Sequence, residues 1–474
     1  MKTVLHLMVA VSALATAQFC TVPAATLYVD VNSTNATAPY TNWATAAIVI
    51  QDAVDAAAVG DEIMVADGVY ATGGRQGNRV AVNKPLTLRS LKGPEFTIIQ
   101  GANPLFDEEG TQTNETMRCV YLANGASLSG FTLTNGAAGN GGGVYGESEA
   151  AVVANCVLTG NSTRCGGGGA SGCTLNNCTL TGNWANSGTG ACLGQAGGAV
   201  YCTLNSCTLT GNSASVGGAF GCTLNNCTLA NNMGGWGGGA GYSTLNNCTL
   251  TGNSAELGGG AYGGTLNNCT LTGNSAHEEG GGVYGGTLNN CIVYYNTAGR
   301  GANYSGDYPD LTFNYCCTTP LPTNGVSNIT GPPLFMDLTE GDFRLSEDSP
   351  CIDAGANLAL LNIGYAYEPT DILGNTRFID GNGDGKVAWD IGAYEFNSFK
   401  PPRFKIQPQL TPDGWKLNIT GEPNKWMRLQ RSGDFKNWED IWFGWMGPES
   451  VKEINDRQSY EEGQGAMFYR AVVP

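Results

Sequence analysis

One alternation of apolar and polar positions returns again and again through the middle of the chain. It reads LNNCTLTGN around Cys178, Cys248 and Cys269, with near copies at Cys156, Cys207, Cys227 and Cys291. The steps between these cysteines are 22, 29, 20, 21, 21 and 22 residues. Successive strand residues face opposite sides, so Cys178 and Leu180 point to a core while Thr179 and Thr181 point outward. A glycine-rich stretch such as GGGAYG links one copy to the next. A unit this short cannot bury its own apolar face and must stack on copies of itself, which predicts a solenoid.

Two asparagines per copy fall at predicted bends. One series is Asn176, Asn205, Asn225, Asn246, Asn267 and Asn289; the other is Asn183, Asn212, Asn232, Asn253, Asn274 and Asn296. Asparagine tolerates left-handed backbone and can bond to its own copies above and below, so both series read as ladders. The cysteines of the repeat, among them Cys178, Cys227, Cys248 and Cys269, read as a third ladder of small buried hydrophobes. Before the regular turns, which run from about 117 to 300, residues 26–31 alternate like a strand. Residues 42–58 place Trp43, Ala46, Ala47, Ile50, Val54 and Ala57 at helical spacing, and β-rich runs follow at 62–66, 80–82, 86–88 and 96–99. The helix is expected to cover the open first turn. After Lys400-Pro401-Pro402 the composition shifts. Residues 398–402 read as a linker, and 403–474, rich in charge and tryptophan, as a small β-sandwich-like module.

Charge alters the functional picture more than size does. The chain has 474 residues with 40 acids against 23 bases, a formal net charge of -17. Such a surface repels nucleic acid and anionic membranes. Residues 1–25 read as a secretory signal: Lys2 is the positive start, the run from Val4 to Ala17 is apolar, and cleavage could follow Ala15-Thr16-Ala17 or Pro23-Ala24-Ala25. Cys20 is the alternative, a lipid attachment point. Nothing else approaches the ~18 apolar residues of a membrane helix. The expectation is therefore an exported monomer, extracellular or on the outer cell surface. Disulfides are permitted there, and Cys316, Cys317 and Cys351, outside the repeat, are the better candidates. A second periodic series (Cys173, Cys202, Cys222) gives way to Ser243, Gly264 and Gly286, so no obligatory bridge is expected in it.

The repeat resembles the right-handed parallel β-helices of the pectin-lyase-like superfamily. Its GGA segments (Gly197-Gly198-Ala199, Gly217-Gly218-Ala219, Gly259-Gly260-Ala261) and TGN segments resemble those of polymorphic outer-membrane proteins. Three further stretches resemble the exported choice-of-anchor Q proteins: TNWATAAIVIQDAVDAA from Thr41, DFRL with SPCIDAG between Asp342 and Gly355, and DIGAYE from Asp390 to Glu395. The resemblance spans residues 26–397. It implies an all-β, right-handed parallel β-helix with an N-terminal helical cap, and a bacterial exported location more than an activity.

Carbohydrate-cleaving sites need grouped ionisable side chains. Between residues 130 and 300 there are only Glu147, Glu149, Arg164, Glu256, His277, Glu278, Glu279 and Arg300, and these read as solvated turns. Adjacent Glu278 and Glu279 should face opposite ways on a strand. No catalytic residue is assigned. The clearest chemical motif is DGNGDGK: Asp380, Asn382 and Asp384 at alternate positions, the Lys386 carbonyl, then Asp390, which match the first half of a calcium loop and depart from it at the twelfth position, Ile391. Calcium there would be structural. Tyr201, Phe220, Tyr262 and Tyr284, beside the GGA segments, are candidate sugar-stacking residues; the alternative is a packed corner ladder. Three functions remain: a non-catalytic scaffold binding extracellular polysaccharide or cell-surface glycan, or mediating adhesion; a polysaccharide lyase or glycoside hydrolase; and ice binding through outward threonines at 179, 181, 208, 210, 249, 251, 270 and 272, an array that Ala230 interrupts.

Overall fold

Each copy of the repeat folds into four short strands, and each strand pairs in parallel with its counterpart in the next copy. In one turn these are Ala199–Val200, Thr203–Asn205, Thr208–Thr210 and Ser213–Ala214. The stack makes four parallel sheets of 10, 12, 11 and 8 strands respectively. The computed structural model describes residues 24–102, 116–185, 195–306, 311–357 and 370–396, and strands between 405 and 472. Register places like on like: Leu204 pairs with Leu224, Asn205 with Asn225, and Leu209 with Leu229. The inward residues Leu175, Leu180, Leu204, Leu209 and Leu224 are fully buried. The chain is thus a parallel β-helix, as the period predicts. Close stacking explains the glycine pairs: a Cβ on Gly217 would sit 2.1 Å from the Gly238 carbonyl oxygen of the next turn.

The ladders form, but their corners differ from the expected ones. Asn176 and its counterparts end strands, and each amide donates to the preceding turn, as Asn205 Nδ2 does to Asn176 Oδ1 at 2.8 Å. The left-handed residue is the next one: Asn177, Ser206, Asn226, Asn247 and Asn268 have φ between 50° and 54°. The Asn183 series lies wholly inside the solenoid. Asn183 Nδ2 donates to Asn212 Oδ1 at 3.0 Å and to the Leu158 carbonyl at 2.8 Å, and Asn183 N donates to Asn212 Oδ1 at 3.0 Å. There the left-handed corner belongs to the preceding residue, Gly182, Gly211, Asn231, Gly252 or Gly273.

Cys178, Cys227, Cys248 and Cys269 are buried free thiols. Sulfur accepts from the backbone of the turn before: Cys178 N donates to Cys207 Sγ at 3.4 Å, and Cys269 N to Cys291 Sγ at 3.4 Å. In the second series Ser243 Oγ takes over the thiol's role, accepting from Cys222 N at 3.1 Å. Burial pushes the Cys119 and Cys156 thiols up to about 12. Contrary to the sequence expectation, Cys316, Cys317 and Cys351 are free, packed as apolar groups. Cys165 is disulfide-bonded.

The predicted helix over 42–58 is shorter: a 3₁₀ turn at Trp43–Thr45 and an α-helix at Ile50–Ala56. Residues between them extend instead, because Ala47 exchanges hydrogen bonds with the first strand, Thr26–Val29, and its flank. The helix caps the stack through Gln51, whose amide accepts from Ala81 N at 2.7 Å and donates to Ala81 O at 3.3 Å. That satisfies the edge strand Asn78–Val82.

At the other end, residues 351–357 and 370–396 lie against the outside of the solenoid. Gly392 N donates to Asn290 O, Ala393 N to Thr270 Oγ1 at 3.0 Å, and Asn247 Nδ2 to Thr370 O at 2.9 Å. A buried charge cluster locks this segment. Arg377, fully buried, donates to Glu395 Oε2 at 3.1 Å, Asn247 Oδ1 at 3.2 Å and Gly392 O at 2.9 Å. Asp371 accepts from Asn375 N and Glu395 N; Asp390 accepts from Asp353 N at 2.8 Å and from Phe396 N. Three buried carboxylates face one guanidinium, so burial holds Asp390 up at about 7 and Glu395 up at about 9. Glu395 Oε1 has no hydrogen-bond partner. In the tail, two three-stranded antiparallel sheets form, with Leu417, Ile419 and Leu429 buried, in keeping with a β-sandwich-like module. The predicted linker and most of the signal segment lie outside the described residues. Among the described residues no helix is long and apolar enough to cross a membrane.

Candidate functional site

The 10-stranded sheet carries the aromatic residues singled out in the sequence. Phe220, Tyr262 and Tyr284 end its strands, and Tyr201 sits at the following corner. Ring centroids run 6.0 Å from Tyr201 to Phe220, 5.9 Å to Tyr242, 5.4 Å to Tyr262 and 5.2 Å to Tyr284. Trp236 joins at 6.4 Å from Tyr262. The rings therefore make one continuous strip along the axis, one per turn. Most contacts are edge-to-face, and the strip remains in solvent: Tyr201 is 63% exposed and Tyr242 58%.

Tyr242 escapes a strict reading of the repeat because its copy reads AGYS where others read AYGG. Its strand position is Gly241, and the ring moves one residue on, to the left-handed corner. Tyr201 does the same; the two have φ of 48° and 51°, where neighbouring turns use Gly221, Gly263 and Gly285. Those glycines make room for the rings. A Cβ on Gly221 would meet the Tyr201 ring at 2.7 Å, and one on Gly263 would meet Tyr242 at 3.1 Å. A left-handed non-glycine costs roughly 1–2 kcal/mol, so the two tyrosines hold positions that glycine would fill more cheaply.

Among the described residues, one group of three ionisable side chains brings possible metal-ligand atoms together. His277 Nδ1 lies 3.2 Å from Glu256 Oε2, and Glu256, His277 and Glu278 bring their ligand atoms within 4.8 Å of one another. Register slips between Ala276 and Glu279, a bulge that lets consecutive side chains turn the same way. Glu279 turns elsewhere, to Arg300 at 3.4 Å and Ser305 Oγ at 2.6 Å. All three members of the group are exposed.

Within the DGNGDGK loop, Asp380 accepts from the backbone of Gly383, Asp384 and Gly385 at 2.7 to 3.1 Å. Asn382 Oδ1 accepts from Asp384 N, and Asp384 Oδ1 from Lys386 N. The side-chain oxygens of Asp380, Asn382 and Asp384 thus accept from the backbone of their own turn. Asp390 does not join them; it is buried, with both oxygens engaged by the closing segment. The acid that reaches the loop is Asp353, whose Oδ2 accepts from Asn382 N at 2.8 Å while Oδ1 has no partner.

The threonine array is not a free plane. Thr249, Thr270 and Thr272 are at most 3% exposed because the closing segment lies over them. Elsewhere in the array Thr208 is exposed, and Thr179, Thr181, Thr210, Thr228 and Thr251 are half-buried. A flat ice-matching face of the expected extent is therefore not present.

No family model matches the chain, and no curated protein matches it. Among solved structures it is similar to a rhamnogalacturonan lyase, at 14% identity over 67% of this chain and 91% of that one, with a TM-score of 0.33. It is also similar to the pectin methyl esterase of rice weevil, at 14% identity over 56% of this chain and 80% of that one, with a TM-score of 0.25. The β-helix assignment rests on the strand registers described above.

Proposed function

We propose that this protein is an exported β-helix scaffold that holds polysaccharide along its aromatic strip without cleaving it. The observation that carries this reading is the solvent-facing run from Tyr201 to Tyr284, with Tyr201 and Tyr242 kept at left-handed corners above glycines that admit their rings. Pyranose rings stack on exposed aromatic faces through their apolar C–H side, and a strip with one ring per turn, advancing about 4.8 Å, offers an extended glycan successive platforms. Retention on insoluble cellulose, xylan, mannan and chitin tests it. The full chain should be retained on at least one, and the Tyr201→Gly/Tyr242→Gly double variant should pass through. Those replacements relieve about 1 kcal/mol or more of backbone cost each and forfeit ring contacts worth about 0.5–1.5 kcal/mol. Stability should stay nearly level, so lost retention reports on the rings.

A catalytic reading has one observation in its favour, the Glu256 and Glu278 carboxylates beside His277. Release of reducing or unsaturated sugars from the same polysaccharides, abolished in Glu256→Gln and Glu278→Gln, would replace the scaffold reading with that of an enzyme.

A further inference from the structure

At the corner where other turns carry Thr-Gly-Asn, one turn carries Tyr294-Tyr295-Asn296. Gly182, Gly211, Gly252 and Gly273 hold this corner left-handed, and Tyr295 holds it too, with φ of 60°. Its ring is 43% exposed, 4.8 Å from Tyr294 and 6.4 Å from Phe335. It walls a pocket of about 470 Å³ on the 11-stranded sheet. Thr228, Thr249, Thr251 and Thr272 line one side; Leu338, Phe343 and Tyr394 come from the later chain. That volume falls within the range of ligand sites.

The lining has a definite chemistry. It holds threonine hydroxyls, two tyrosines and a phenylalanine, and no charged residue. Thr249 Oγ1 pairs with Thr228 Oγ1 at 3.3 Å, and Thr270 beside them accepts from Ala393 N. Thr272, 1% exposed, lines the pocket with a hydroxyl that has no partner. A buried unpaired hydroxyl costs about 1–3 kcal/mol, and isosteric valine would remove that cost. Aromatic faces beside uncharged donors and acceptors match a pyranose, which has an apolar face and a rim of hydroxyls.

We infer that this pocket is a second sugar site, separate from the aromatic strip, that takes one or two uncharged pyranose units. The ligand class rests on the carbohydrate-binding reading; the location does not, since strip and pocket lie on different sheets. The test is calorimetric titration of the full chain with cellobiose, maltose, mannobiose and galactobiose, and with digalacturonate as the charged comparator. At least one neutral disaccharide should bind. Measured in the Tyr201→Gly/Tyr242→Gly background, which removes the strip from the titration, its affinity should fall at least about tenfold in Tyr295→Gly and in Thr272→Val. Tyr295→Gly relaxes the backbone, and Thr272→Val keeps the shape, so folding is preserved. Absence of binding by every neutral disaccharide, binding untouched by both pocket variants, or equal binding of digalacturonate would each overturn the proposal. Failure of the strip reads out separately, as polysaccharide retention that survives Tyr201→Gly/Tyr242→Gly.

Discussion

Asn253 shows what a single residue does in this fold. Its Oδ1 accepts from Asn232 N and Nδ2 at 3.0 and 2.9 Å, and its Nδ2 donates to Leu229 O and Asn274 Oδ1 at 2.8 and 2.9 Å. No water reaches it, so Asn253→Ala leaves a backbone N–H and a carbonyl short of partners. At about 1–3 kcal/mol for each unsatisfied group, the variant should lose about 3 kcal/mol in urea unfolding. Asn246 belongs to the half-buried outer ladder, bonded to Asn225 at 2.9 Å and to Asn267 at 3.0 Å. Asn246→Ala should lose about 1 kcal/mol, because water replaces the missing amide. Equal losses would refute the difference in burial. Both ladders are legible in the sequence, since like residues recur at one period. Which asparagine turns the chain is not: Asn176 and Asn177 are identical letters, and only the pleat decides which side chain pairs and which backbone goes left-handed.

The element whose role was least legible is the closing segment. Its phrases SPCIDAG and DIGAYE stand out as words, but Gly392 and Ala393 of the second bond to Asn290 and to Thr270, more than 100 positions away. Burial raises the folded-state pKa of Asp390 to about 7 and of Glu395 to about 9, with Asp371, Asp353 and Arg377 facing them. Unfolded carboxylates titrate near 4. Between about 4 and 9 the folded chain therefore binds more protons than the unfolded one, and stability falls as pH rises through that window. The melting temperature should drop from pH 5 to pH 9, and less steeply in Glu395→Gln, which titrates no longer. A flat or rising profile would contradict the buried cluster. The neighbouring loop makes a separate prediction: millimolar calcium should raise the melting temperature, and the rise should vanish in Asp384→Ala and shrink in Asp353→Asn. An unchanged rise in both variants would rule out the loop as a calcium site.

On the scale of the whole molecule, a net charge of -17 bears on which glycans can approach. Repulsion from a surface of one sign weakens as salt shortens the Debye length from about 30 Å at 0.01 M to about 10 Å at 0.1 M. Neutral polysaccharide should be retained equally at both ionic strengths, while polygalacturonate should be excluded at the lower one. Strong polygalacturonate retention at low salt would overturn the preference for uncharged sugars. Stacking also makes each turn depend chiefly on its neighbours, so the helical cap protects the open first turn while the closing segment covers the flank of later turns.

The sequence by itself determined the solenoid, its inward leucines and cysteines and its two asparagine ladders. All of these follow from residues repeating at a period shorter than any self-sufficient domain, which leaves stacking as the one way to bury them. Tertiary structure alone decided how far the chain's ends return onto its flanks. It covered part of the threonine face, drew Asp390 into a buried cluster, and set Tyr295 opposite Phe343 and Tyr394. These outcomes join residues that share no period, and their pairing depends on where the closing segment lands.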